Sequence, residues 1–320
     1  MPDKKDKIKV GLAQISPILL NKAATLYKVI ATISEASEQK CDLVGFGEAF
    51  VPGYPFWSER TGGAEFESDT QKDFYGKYLK EGVSIEDGDL IPLCTLAKEK
   101  QISVYLGIME RAQDRGGHSL YASLVYINKS GEVCSVHRKL QPTYDERLNW
   151  APGDGHGLRV HSLEAFTVGG LNCWENWMPL PRAALYGMGE DFHFACWPGG
   201  MHNTPDITRF IAKEARSFVM SVSGLMREID IPKDVPHREL IKGLNNNGYF
   251  ANGGSCLAGP DGKWIIEPIL EAEGLVTAEI DHSFVRRERQ NFDPAGHYSR
   301  PDVTRLIVNR KRQTTVETID

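Results

Sequence analysis

Six cysteines in 320 residues include no C-x-x-C pair. Cys41, Cys94, Cys134, Cys173, Cys196 and Cys256 are scattered, which excludes a zinc knuckle and a dense disulfide framework and predicts free, mostly buried thiols. No run approaches the roughly 20 apolar residues that a membrane-spanning helix needs. The opening MPDKKDKIKV passes from charge straight into a strand-like pattern with no apolar leader, so the simplest expectation is a cytoplasmic protein that touches no membrane. A basic stripe is also lacking: net charge is -6, and the one basic tract, NRKR at 309–312, predicts a solvated tail. Nucleic acid is therefore not an expected partner. Where a nucleotide-binding α/β protein would carry a glycine fingerprint after its first strand, this chain has AQISPILLN. Proline- or serine-rich linkers, low-complexity runs and short internal repeats are missing too. This leaves one domain over residues 1–281 and a C-terminal extension over 282–320.

What is present is alternation. IKVGLAQI (8–15) has a short β-rich pattern, and apolar residues at helical spacing follow to about Lys40. CDLVGFGEAF (41–50) predicts a buried strand, the region from Leu90 to Lys100 a helix, and ISVYLGIMERA (102–112) a further strand. Alternating elements of this kind define an α/β fold. Two hairpin signals interrupt them, one turning at Asn128-Lys129-Ser130-Gly131 and one at Pro260-Asp261-Gly262. Mixed sheets are therefore expected rather than purely parallel ones.

FTVGGLNC (166–173) predicts a strand ending at Cys173, and PLPRAALYGMG (179–189) a helix opening on prolines. A cysteine on the turn between them is a candidate nucleophile, close to backbone N–H groups that favour the thiolate. Any single cysteine is more often a buried thiol. Here the cluster Trp174-Glu175-Asn176-Trp177 directly after a buried strand tilts the reading toward function. His137, His193 and His202 carry no motif pairing them with Cys173. Glu48, at the end of its predicted strand and before the aromatic loop AFVPGYPFW, is a better partner, because α/β sheets place functional groups at strand C-termini. Lys139 likewise ends a strand, ahead of a loop carrying Glu146. His193 and Cys196 have H-x-x-C spacing with His202 nearby, but residues three apart on a strand face opposite ways. Neither a metal nor an organic cofactor is expected, and GDGHG (153–157) is a turn rather than a phosphate loop.

Three landmarks, GFGEAFVPGYPFW around Glu48, HRKLQPTYDER around Lys139 and GGLNCWENWMPLPR around Cys173, stand in order along the chain. With WAPGDG (150–155), ACWPG (195–199) and DPAGHYSRPDV (293–303), they make the sequence resemble the nitrilases of the carbon–nitrogen hydrolase superfamily over nearly its whole length. The resemblance implies a four-layer αββα sandwich and a Glu48-Lys139-Cys173 triad supported by Glu146. It implies homodimers built through helices and growing into larger homo-oligomers, with the 282–320 extension at a subunit interface. Cys-Trp-Glu-Asn followed by Met-Pro-Leu is more like true nitrilases than amidases or carbamoylases. Two departures stand out: Ala151 replaces a glycine often found in that loop, and a short tail after RPDV speaks against long filaments.

The expected activity is hydrolysis of an organic nitrile to the acid and ammonia through a thioimidate and a thioester. An amidase or cyanide-hydrolysing member of the superfamily is the alternative. A catalytically silent scaffold would lack one of the triad residues, and all three are present. Glu48 is expected as the base with a raised pKa, and Lys139 with the Trp174 N–H as oxyanion donors. Tyr54, Trp57, Trp174 and Trp177 are candidates for the substrate pocket, with packing in the core or at an interface as their other reading.

Overall fold

The computed structural model describes residues 4–243, 248–316, 318 and 319. Its first half runs β1 (Lys7–Gln14), α1 (Lys22–Glu38), β2 (Leu43–Gly45), α2 (Asp69–Lys80), α3 (Ile91–Lys100), β3 (Ser103–Arg111), β4 (Leu120–Ile127) and β5 (Val133–Arg138). The second half runs β6 (His161–Leu163), β7 (Phe166–Asn172), α4 (Pro179–Gly187), β8 (Phe192–Trp197), α5 (Pro205–Ala215), β9 (Phe218–Ser223), β10 (Leu225–Arg227), α6 (Arg238–Ile241), β11 (Tyr249–Ala258), β12 (Trp264–Leu270), β13 (Gly274–Asp281) and α7 (His282–Glu288).

The strands form two mixed sheets. The six-stranded sheet has the order β13-β1-β2-β3-β4-β5, with β1, β2 and β3 parallel and the rest antiparallel. The seven-stranded sheet has a parallel centre, β7-β8-β9, with antiparallel β6 on one side and the β11 group on the other. Both hairpins expected from the sequence form. In the first, Asn128 Oδ1 accepts from the N–H groups of Ser130 and Glu132, and Gly131 supplies the positive φ that closes the turn.

The inner faces pack on each other. Leu12, Leu43, Tyr105 and Tyr126 from one sheet meet Phe194, Cys196, Met220 and Val222 from the other, with the Tyr105 and Phe194 rings stacked at 4.6 Å. Outside the first sheet, α1 and α3 contribute Val29, Ile33, Ala36, Leu93 and Ala97 to a second core. Outside the other sheet, α4 and α5 contribute Tyr186, Ile207, Ile211 and Ala212 to another. Helices thus cover both outer faces of a two-sheet sandwich, as the αββα expectation had it. The α1 helix starts where Asn21 Oδ1 accepts from the Ala24 N–H, and α4 and α5 open on proline, whose missing N–H costs nothing there.

Two details differ from the expectation. The buried strand expected over 41–50 stops at Gly45: the Phe46 N–H still donates to the Tyr105 carbonyl of β3 at 2.9 Å, but the Glu48 N–H crosses to the other sheet and donates to the Trp197 carbonyl at 3.1 Å. The basic tract at 309–312 is not simply solvated: Arg312 pairs with buried Asp154 at 2.9 Å, and Val308 packs beside Leu158 and Leu185. The extension from residue 282 opens with α7, which sets Val285 into the core between the sheets.

Gly107 on β3 lies under the bend that carries Glu48. A Cβ there would stand 2.1 Å from the Gly47 carbonyl oxygen and 2.9 Å from the Glu48 Cα, both rigid backbone. Gly107→Ala is therefore expected to lower stability by about 1–3 kcal/mol through overpacking and to displace Glu48. A urea titration and the reactivity of Cys173 read the two effects, and a wild-type urea midpoint would refute the first.

Candidate active site

Four ionisable groups that stand far apart in sequence meet where the ends of both sheets converge. Glu48 comes from the bend after β2. Lys139 is the first residue after β5, its N–H donating to the Ala122 carbonyl at 2.8 Å and its carbonyl accepting from the Gly153 N–H at 2.8 Å. Glu146 sits in the short 3-10 turn Tyr144–Leu148 and accepts the Thr143 N–H at 2.6 Å. Cys173 opens a second 3-10 turn, Cys173–Trp177, at the end of β7. All four are at most 2% exposed.

The lysine is the centre. Its Nζ donates to Glu48 Oε1 at 2.8 Å and to Glu146 Oε2 at 2.6 Å, and Tyr54 OH donates to the other Glu146 oxygen at 2.9 Å. One acceptor atom each of Glu48, Glu146 and Cys173 lies within 4.8 Å of the others. Oxygen and sulfur at such spacing suit a cation, and the Lys139 ammonium already bridges the two carboxylates. Glu48 Oε2 is buried with no hydrogen-bond partner among the described residues, and the Glu48 carboxyl is within interaction reach of the Cys173 thiol.

Burial decides the charges. It pushes the Glu48 carboxyl up to about 7 against the pull of Lys139, and Glu146 adds to the rise. Burial alone would discharge Lys139, but Cys173, Glu48 and Glu146 outweigh it and hold the ammonium well above the ordinary lysine range. For Cys173, burial and then Glu48 raise the thiol pKa well above its usual value. The expectation that its turn favours the thiolate is thus corrected: α4 begins only at Pro179, and desolvation outweighs Lys139 and the Trp174 N–H.

Cys173 has φ +50, a left-handed conformation that a side chain resists, so its surroundings must impose it. Glu175, fully buried, does much of this. Its carboxylate accepts the Asn172 N–H at 3.0 Å and the Leu140 N–H at 2.9 Å, and meets His137 Nε2 at 2.9 Å. Burial opposes its ionisation, but His137 and the two backbone donors win and lower the pKa. Glu175 thereby ties the chain after Lys139 to the turn of Cys173. The spacing Asn172-x-x-Glu175 is a capping-box pattern that could have revealed it.

The aromatic candidates separate. Tyr54 is at the cluster through Glu146. Trp57 is 1% exposed in the core, with Phe74 stacked at 5.2 Å and Tyr78 against its edge at 5.0 Å. Trp174 and Trp177 are 48% and 41% exposed and pack on each other at 6.1 Å. Trp150, part of WAPGDG, lies with its ring 5.6 Å from Lys139 Nζ. His193 and Cys196 face apart: His193 meets Asn176 under the turn, whereas Cys196 is in the core between the sheets. No described helix is long and apolar enough to cross a membrane.

A two-sheet sandwich with a buried cysteine, a lysine and two glutamates gathered at the strand ends defines a class of cysteine-dependent hydrolases. The chain matches the carbon-nitrogen hydrolase family over residues 9–290, and it belongs to that family. It is 34% identical over 311 residues to Nitrilase 2 from an unknown prokaryotic organism, covering 97% of this chain and 95% of that one. To an aliphatic nitrilase of Rhodococcus rhodochrous it is 32% identical, covering 98% and 82%. The fold is shared with an amidase from Nesterenkonia sp., at TM-score 0.64 and 16% identity, covering 91% of this chain and 96% of that one.

Glu48 titrates near 7 when folded, against an ordinary value of 4.5, so the folded state holds the extra proton between these values. Its contribution to stability is fully present below the lower value and is lost as pH rises through the upper. Glu48→Gln cannot ionise and should therefore gain stability relative to wild type between pH 5 and 8, conditions set about the pKa of about 7. Urea midpoints across that range test it, and a constant difference would contradict the assignment.

Proposed function

We propose that the protein hydrolyses the carbon–nitrogen bond of a small nitrile through Cys173. The observation that carries this is the buried cluster of Cys173, Lys139 and two carboxylates, in which a thiol with a raised pKa stands near the Glu48 carboxyl. The likeness to nitrilases along nearly the full chain supports the nitrile as substrate.

A nitrile carbon is a poor electrophile, so the sulfur must be deprotonated as it attacks. Glu48 takes the thiol proton, and the new S–C bond makes a thioimidate once the nitrogen is protonated from the Glu48 side. Water, deprotonated by Glu48, adds to give a tetrahedral species whose negative charge lies against Lys139 and the Trp174 N–H. Ammonia leaves with the returned proton, forming a thioester, and a second water releases the carboxylic acid and restores the thiol. Glu146 keeps Lys139 charged and aimed, with Tyr54 fixing Glu146 in turn. Two carboxylates so close to one ammonium divide the labour: the one nearer the sulfur moves protons, and the one held by Tyr54 and Thr143 stays in place.

A carboxamide is the second reading, favoured by the same geometry. Its addition step needs only proton transfer to Glu48 and two donors for an oxyanion, and the cluster supplies both. Met178, Leu180 and Phe210, on or beside α4 and α5, are exposed apolar side chains, which supports burial of these helices against a second copy in a homodimer.

Ammonia release from phenylacetonitrile, mandelonitrile, benzonitrile, an aliphatic dinitrile and cyanide, run beside the matching amides, tests the substrate. Release from nitriles that vanishes in Cys173→Ala and falls by about 100-fold or more in Lys139→Gln is expected, since losing an oxyanion donor costs about 2.7–4 kcal/mol. Release from amides alone would replace the nitrile reading with the amide one. For assembly, Leu180→Asp combined with Phe210→Asp is expected to lower the mass seen by light scattering, and an unchanged mass would exclude that face.

A further inference from the structure

A line of buried polar groups beneath the Cys173 turn has no part in the steps above. Asn176, His193 and Glu190 are all fully buried. Asn176 Nδ2 donates to the carbonyls of Cys173 at 2.8 Å and Leu171 at 3.2 Å. Its Oδ1 meets His193 Nε2 at 2.7 Å, and His193 Nδ1 meets Glu190 Oε1 at 2.9 Å. An amide whose nitrogen faces two carbonyls presents its oxygen to the histidine, so Nε2 must carry a proton. Gly169 makes room for the far end of the line, because a Cβ there would stand 2.3 Å from Glu190 Oε1. Arg182 Nη1 donates to the Asn176 carbonyl at 2.8 Å and so fixes the same residue from its backbone.

The consequence falls on one peptide plane. The Cys173 carbonyl and the Trp174 N–H belong to the same trans peptide and point in opposite directions. Holding the carbonyl on Asn176 turns the N–H away from it, and that N–H lies within hydrogen-bonding reach of the Cys173 sulfur. We propose that Glu190, His193 and Asn176 are positioning residues that orient the Cys173–Trp174 peptide and thereby aim its N–H at the oxyanion formed on Cys173. The inference rests on Cys173 as the nucleophile and holds for nitrile and amide alike. His193 is the discriminating position. Leucine there leaves Asn176 Oδ1 without a donor and lets the amide turn, whereas glutamine can present an N–H where Nε2 stands.

Two reagents separate aiming from simple integrity of the site. Acylation of Cys173 by p-nitrophenyl acetate forms an S–C bond, passes through an oxyanion and expels p-nitrophenolate. Alkylation by iodoacetamide displaces iodide at a saturated carbon with no oxyanion. Both hand the thiol proton to the same base. His193→Leu is expected to slow acylation roughly tenfold or more while alkylation changes less than about twofold, in keeping with the cost of a lost oxyanion donor. His193→Gln should recover most of that loss. Asn176→Asp, isosteric but without the amide donor, should repeat the selective loss and serves if His193→Leu does not fold.

Parallel loss of both rates, a His193→Gln as slow as His193→Leu, or a wild type labelled by neither reagent at Cys173 would overturn the inference. Failure of the substrate reading shows separately. A wild type that is acylated and relay-dependent but releases no ammonia from nitriles leaves this inference standing, and nitrile turnover without relay dependence removes it alone.

Discussion

The ammonium of Lys139 between two buried carboxylates is the interaction on which the site depends. Removing charges from water is costly, and a buried ion pair recovers that cost only with close geometry and satisfied partners. Lys139 meets both Glu48 and Glu146 within 2.8 Å, and Tyr54 and the Thr143 N–H complete Glu146. Without the lysine, two carboxylates would face each other in a low-dielectric interior, and at least one would be neutral. With it, Glu146 is fully engaged while Glu48 keeps a free oxygen. The asymmetry between two glutamates of the same chemistry comes from their partners.

A second constraint is the Cys173 turn. Its backbone conformation is one that cysteine does not prefer, and it is held by buried hydrogen bonds from the Glu175 side and the Asn176 side. Burial makes the thiol harder to ionise than its position on a turn suggests. In the proposed mechanism, reactivity therefore comes from the neighbouring carboxylate at the moment of attack, not from a standing thiolate. The same burial strengthens every electrostatic interaction in the cluster, because water is not there to screen it.

Much of the architecture was legible because it is local. The hairpins at Gly131 and Gly262, α1, α3 and α4, and the strands leading to Cys173 and Lys139 follow from turn residues, proline positions and apolar periodicity over short windows. The bend after Gly45 was not legible, since an apolar run reads as strand whether or not a distant residue, here Trp197, accepts the Glu48 N–H. Trp57 shows the limit for aromatic residues: one in an aromatic loop beside Glu48 reads equally as pocket wall or core, and packing decides, burying it against Phe74 and Tyr78. The tail around Arg312 looked solvated for a similar reason, its carboxylate partner lying some 158 residues away.

By itself the sequence determined an α/β chain with mixed sheets, strand ends carrying Glu48, Lys139 and Cys173, and free thiols without a disulfide framework. Its three motifs also pointed to the carbon–nitrogen hydrolases. Only the tertiary structure decided which groups touch and what charge they carry. Glu48 and Lys139 are 91 residues apart in the chain, and no window that reads periodicity spans that distance. The raised pKa of Glu48, the protonated Cys173 thiol and the pairing of Glu175 with His137 all arise from burial and from neighbours contributed by both sheets. Those are properties of the packed interior and not of the order of residues along the chain.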